Sequence, residues 1–156
     1  MEGERTDLII RRLEADDCAW LVRTDEAISG RSRPEWFRAK IDRSLKESDV
    51  CISLGAEKDG LLVGALMGSV HYGEYGLPEP VAILDTVLVS RDFARQGVAR
   101  ALMDQLMKNL RALRISCLRT EVAWNEIELI GFFHRVGFVP APRLVLEVDT
   151  SKELDV

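Results

Sequence analysis

Two adjoining stretches constrain this chain more than any others. Val81–Val89 reads Val-Ala-Ile-Leu-Asp-Thr-Val-Leu-Val, an apolar run broken only by Asp85 and Thr86. Shortly after it, Val98, Leu102, Leu106, Leu110 and Leu113 recur at spacings of four, four, four and three. The first pattern is a strand covered on both faces. The second is an amphipathic helix with one apolar stripe. Lys108, Arg111 and Arg114 gather at the far end of that helix, where its dipole favours cations. A buried strand that turns directly into a long helix needs a sheet with helices packed on it, which is an α/β domain.

The remaining elements fit this frame. Leu8–Leu13 reads as a first strand, with Asp16 and Asp17 as N-cap candidates for a helix over 17–29. A second helix is predicted over Pro34–Lys46, because proline suits a first helical turn. Val50–Ala56 alternates as a strand, Asp59-Gly60 signals a hairpin, and Leu61–Val70 is the partner strand. His71–Pro80 reads as a loop and Arg91–Gln96 as a polar turn. Further predictions are a strand near Ile115–Ala123, a helix over Glu126–Val136 capped by Gly137, and a last strand over Arg143–Asp149. The expectation is a mixed sheet with helices on both faces, formed by residues 1–156 as one domain.

Composition narrows the function. The 156 residues are 47% hydrophobic, enough for a packed core, and the net charge of −5 disfavours an extended polyanion as partner. Neither nucleic acid nor a membrane surface is therefore expected. No apolar run approaches the roughly 20 residues of a membrane-spanning helix, and Met1–Asp7 does not resemble a secretory signal. Three scattered cysteines, Cys18, Cys51 and Cys117, and two histidines show no metal-ligand spacing. The expectation is a cytoplasmic protein without a structural metal.

The chemistry concentrates after the buried strand. Arg95-Gln96-Gly97-Val98-Ala99-Arg100 turns from strand into helix, where free backbone N–H groups and the positive end of the dipole meet an anion. Gly97 and Ala99 permit close approach, although Gly97 also reads as an ordinary turn glycine. Neither a P-loop nor a dinucleotide fingerprint is present. Asp85 lies inside an apolar strand and reads either as a general base or as a carboxylate paired with an arginine or capping a backbone group. Simple alternation places it on one face with Val87 and Val89.

The segment from Phe93 to Met103 resembles the pyrophosphate-binding segment of the GNAT superfamily of acyl-CoA-dependent N-acyltransferases, Arg/Gln-x-x-Gly-x-Gly/Ala. The likeness extends to the strand before it, to Trp124-Asn125, and to Phe132–Phe138 as the family's Phe-Tyr-x-x-x-Gly-Phe ending. This resemblance implies a mostly antiparallel mixed sheet, acetyl-CoA as cosubstrate and direct transfer to a primary amine. It implies that Val87, Leu88 and Val89 run beside the pantetheine arm, and that a backbone N–H near Leu88 polarises the thioester oxygen. Ala94, Arg95, Gln96, Gly97, Val98, Ala99 and Arg100 would line the pyrophosphate, and Asn125 the cofactor arm. Asp85 would be the base. Trp36, Tyr72 and Tyr75 fall where the family walls its acceptor, and equally read as packing or surface residues; Glu121, on the strand after the long helix, reads first as a solvated edge charge and second as a residue facing the acceptor.

Two positions depart from the family pattern. Ala94 stands where an arginine or glutamine opens the glycine motif, and Phe133 stands at the tyrosine general acid. Phe133 also completes an apolar stripe with Leu129, Phe132 and Val136. Trp124 reads as core or as a cofactor contact. These departures keep a second function open, a non-catalytic acyl-CoA sensor of the same fold; a phosphate or nucleotide binder is a third. The acceptor is expected to be cationic, and a homodimer is compatible with the family.

Overall fold

A computed structural model describes residues 7–46 and 52–153, which gather into two compact units, Met1–Glu121 and Val122–Val156. The first unit holds a five-stranded sheet in the order β1-β2-β3-β4-β5. Its strands are β1 (Ile9–Arg12), β2 (Leu54–Lys58), β3 (Leu61–His71), β4 (Val81–Val89) and β5 (Leu118–Thr120). The first four pair antiparallel, and β5 runs parallel to β4. Helices α1 (Cys18–Ser29), α2 (Pro34–Lys46) and α3 (Val98–Ala112) complete the unit. The mixed, mostly antiparallel sheet agrees with the fold class expected from the sequence.

Local chemistry explains most boundaries. Asp59 and Gly60 both take positive φ, as the tight β2–β3 hairpin requires. Gly30 ends α1 in a left-handed conformation, its N–H donating to the Glu26 carbonyl. The helix predicted from Asp17 begins at Cys18. Asp17 makes no side-chain cap there and instead holds Arg11. The strand expected over Val50–Ala56 forms at Leu54–Lys58, and Val50 and Cys51 lie outside the described residues. The strand expected over Ile115–Ala123 shortens to three residues.

The sheet is packed on two faces. On one, Leu13, Leu21, Phe37, Ile41, Ala65, Met67 and Leu88 form a continuous buried cluster. On the other, α3 packs on β2, β3 and β4 and buries Val98, Leu102, Met103, Leu106 and Leu110. Each such side chain contributes roughly 1.5–3 kcal/mol on burial. Leu113, the last residue of the predicted stripe, is the exposed C-cap. Gly64 lets α3 approach, since a Cβ there would press on Val98 and Leu102.

The second unit contains α4 (Ile127–Arg135), followed by Gly137 at φ 108°. The Phe138 N–H donates to the Phe133 carbonyl. The final strand expected over Arg143–Asp149 does not form among the described residues, and Leu144, Val145, Leu146 and Val148 are exposed. The strand prediction is corrected here: a strand exists only with a partner to complete its ladder, and none pairs with this segment among the described residues.

Candidate active site

The site begins with an irregularity in β4. Met67 pairs with Thr86, while the next residue, Gly68, pairs with Leu84, so Asp85 is an extra residue, a β-bulge. Gly68 is required opposite it, because a Cβ there would collide with the Ile83 carbonyl. The bulge overturns the simple alternation. Asp85 meets Lys40 of α2, whereas Val87 and Val89 pair with Leu66 and Gly64 and share their face, toward α3.

The bulge also redirects the backbone. The Ala82 N–H donates to the Cys117 carbonyl beside β5, whereas the Ser90 N–H donates to the Val63 carbonyl of the β3 chain. Alternation back from Ser90 turns the Leu88 N–H toward β3 and the Val87 and Val89 N–H groups away from it. On that outer side β5 pairs only with Ala82, Ile83 and Leu84. The Thr120 hydroxyl closes the ladder by donating to the Leu84 carbonyl at 2.7 Å. Beyond Leu84 the outer β4 edge pairs with no strand among the described residues of this unit. The N–H near Leu88 that is available to a ligand is therefore that of Val87 or Val89. The Leu88 side chain is buried in the core.

The open edge leads into the turn before α3. Arg95 and Gly97 adopt positive φ, 62° and 80°. Two left-handed residues in a short turn bring successive N–H groups to one side, and strain at a non-glycine such as Arg95 is characteristic of binding loops. The Ala101 N–H closes the first helical hydrogen bond on the Gly97 carbonyl, and no side chain caps Gly97. The N–H groups of Val98, Ala99 and Arg100 thus lack helical acceptors. Gln96 braces the loop by donating to the Asp92 carbonyl at 3.1 Å. Arg91 reaches the Ala27 carbonyl of α1. Ala94 and Arg95 are exposed, and Arg95 has no acidic partner among the described residues. Arg100 pairs loosely with Asp104 at 3.3 Å.

Asp85 is not isolated. Its Oδ1 receives the Lys40 ammonium and the Thr86 hydroxyl, the latter at 2.8 Å. Lys40 lies 4.6 Å from the Trp36 ring centroid. A paired carboxylate was one reading of Asp85; the partner is a lysine that sequence spacing did not single out. An ammonium forty-five positions away leaves no periodic trace, so only the packing of α2 reveals it. Trp36 thus belongs to the Asp85 neighbourhood. Tyr72, Tyr75 and Glu121 are exposed, and none bonds to Asp85.

In the second unit, Asn125 is exposed before α4. Phe133 is buried, with ring centroids 5.5 Å from Phe132 and 4.9 Å from Phe138, so its core reading holds. Trp124 is 91% exposed, contrary to a core role. Among the described residues no group of His, Cys, Asp or Glu side chains could hold a metal, and no helix is long and apolar enough to cross a membrane.

An open β4 edge running into an uncapped helix start matches the architecture that the motif implied. The family model described as Acetyltransferase (GNAT) family matches residues 11–138. The chain belongs to the GNAT acetyltransferase family. A curated relative, an uncharacterized N-acetyltransferase ycf52 of Porphyra purpurea, is 30% identical over 105 residues, covering 66% of this chain. The chain spans about half of that relative's length, 55%. Among solved structures, the fold is similar to an aminoglycoside N-acetyltransferase, AAC(6')-Iy, in complex with CoA. That match has a TM-score of 0.75 at 16% identity over 96% of this chain and 99% of the other. A ribosomal-protein-alanine N-acetyltransferase of Brucella melitensis biovar Abortus 2308 matches with a TM-score of 0.73 at 18% identity, covering 92% and 99%. At these identities the structural likenesses establish the GNAT fold.

Proposed function

We propose that this chain is an N-acetyltransferase that moves the acetyl group of acetyl-CoA directly onto a primary amine. The observation that carries the reading is the open β4 edge beyond Leu84 running into the uncapped N-terminus of α3. These groups fit acetyl-CoA as cosubstrate: an amide-bearing arm suits a free strand edge, and a pyrophosphate suits clustered N–H groups. The backbone of 95–99 binds the pyrophosphate, and exposed Arg95 and Arg100 add positive charge. When bound, acetyl-CoA supplies an activated acyl group on sulfur.

The remaining work belongs to the protein. The Val87 or Val89 N–H donates to the thioester oxygen and stabilises the charge that develops there. Asp85 receives an acceptor amine that arrives as an ammonium, and draws away its proton directly or through water. Deprotonation at pH 7 costs about 4.6 kcal/mol for a lysine-type amine and about 1 kcal/mol for an α-amine. A single carboxylate already shared with Lys40 suits the second better. Dependence on acetyl-CoA and scattered cysteines support a cytoplasmic setting.

Thiol release from acetyl-CoA over an amine panel tests the reading, with Gly97→Trp as the control at the cofactor loop. Turnover with the unaltered chain and lost acetyl-CoA affinity in the variant are expected. Intact affinity in Gly97→Trp would remove the cofactor site from this loop. Tight binding without turnover on any amine would favour the acyl-CoA sensor, which Ala94 and the Lys40–Asp85 pairing also motivate.

A further inference from the structure

The Asp85 carboxylate is only half used. Its Oδ1 takes both Lys40 and the Thr86 hydroxyl, and its Oδ2 has no partner among the described residues, although the side chain is 39% exposed. The Lys40 side chain is 18% exposed and is held between this carboxylate and the Trp36 ring. Arg33 stacks near the same ring at 4.8 Å, but its guanidinium is committed to Asp25 by two bonds of 2.5 and 2.9 Å. The four charges close into two pairs, so the neighbourhood is neutral. A carboxylate and an indole around an ammonium are the groups that recognise an amine. Here one ammonium is already in place.

A second ammonium on Oδ2 would therefore stand close to Lys40, and the two cations repel. An acceptor that carries an anion beside its amine removes that conflict. Its ammonium bonds to Oδ2, its anion bonds to a spare Lys40 N–H, and the charges alternate around a closed ring. Lys40 has three donors and is not obliged to leave Asp85.

We propose that Lys40 is a specificity-determining residue and that the acceptor is a small zwitterion with a carboxylate beside its amine, as in a free α-amino acid. The inference rests on the acetyltransferase reading above and specifies its acceptor; the adjoining carboxylate makes this amine more basic than a peptide terminus, so its deprotonation at pH 7 costs more than the roughly 1 kcal/mol of that case. One ammonium proton passes to Asp85 and then to solvent. The N–C bond forms as the C–S bond breaks, and the amine's second proton passes through water to the departing sulfur, giving the N-acetylated acid and CoA thiol.

The test compares free α-amino acids with their matched amides, which lose the carboxylate charge and carry a less basic amine, so the reading is taken from KM and not from kcat. Thiol release by the full chain is expected to give the acids a KM at least about tenfold lower than that of their amides. Lys40→Met, which keeps an unbranched stem, should abolish that preference, and Lys40→Arg should largely restore it. Equal KM for acid and amide with the unaltered chain, or a KM preference that survives in Lys40→Met, overturns the proposal while leaving the acetyltransferase reading intact. If no amine is acetylated, that reading fails. Calorimetric titration of the same pairs in the presence of CoA then decides the inference. Tighter binding of the acids, lost in Lys40→Met, supports it, and equal or undetectable binding of both members overturns it.

Discussion

At the scale of single residues, two aspartates illustrate opposite uses of a carboxylate. Asp17 is buried and fully satisfied: Arg11 donates to both its oxygens at 2.7 and 2.8 Å, and the Glu14 N–H donates at 2.7 Å. Burial pushes its carboxyl up, but the Arg11 and Glu14 hydrogen bonds outweigh that and hold it below the ordinary 3.8. A depressed folded value adds stability that is present above the unfolded value and is lost as pH falls through the folded one. Asp17→Asn should therefore cost about 1.5–3 kcal/mol at pH 7, because it removes one of the two carboxylates that pair with Arg11 and leaves Glu57 as the other. The deficit should begin to shrink below pH 3.8, where the unfolded chain takes up the proton, and disappear only once the folded carboxyl protonates at lower pH. Urea unfolding at pH 7 and pH 3 checks both statements. Asp85, by contrast, is partly exposed with one oxygen unpartnered among the described residues, which suits the proposed contact with an acceptor. The sequence marked Asp85 because a charge inside an apolar strand is conspicuous. It did not mark Lys40, a polar residue on an ordinary amphipathic helix.

At the scale of elements, β4 and α3 were legible because their signals are long and periodic. The Val81–Val89 boundaries agree with the structure, and the predicted α3 stripe is buried apart from its final residue. The bulge was not legible. It is a mismatch between two strands, and neither strand carries it alone. Its trace in the sequence is Gly68, one of two glycines in β3, the other being Gly64 beneath α3. Gly68→Ala should destabilise the protein by about 1–3 kcal/mol, since the new methyl group meets backbone rather than a movable side chain. If the bulge sets the ligand-facing edge, that variant should also weaken acetyl-CoA binding measured well below its unfolding midpoint. Unchanged stability and affinity would show that the carbonyl opposite Gly68 can yield freely. The weakest element predictions were the terminal ones, 143–149 above all, where a short alternating run needs a neighbour to become a strand.

For the whole molecule, the consequence of the fold is a coupling between binding and stability. Acetyl-CoA contacts β4 and the α3 N-terminus in the proposed mode, and both exist only in the folded chain. At a hundredfold excess over Kd it should stabilise the protein by about 2.7 kcal/mol. Thermal unfolding with CoA, acetyl-CoA and ATP measures this: both CoA forms should raise Tm and ATP should not. An equal rise with ATP would favour a general phosphate site over a CoA site. The −5 net charge, first an argument against polyanions, is compatible with the proposed anion site because binding responds to the field at the loop and not to the global sum.

The sequence alone determined the α/β class, the order of the main elements and the glycine turn before α3. These follow from periodicity and turn chemistry, which are properties of neighbouring residues. Tertiary structure alone decided which β4 N–H groups face outward, on which face Asp85 emerges and that Lys40 holds it. Those depend on strand register and on helix packing across long stretches of chain, where no local pattern carries the information.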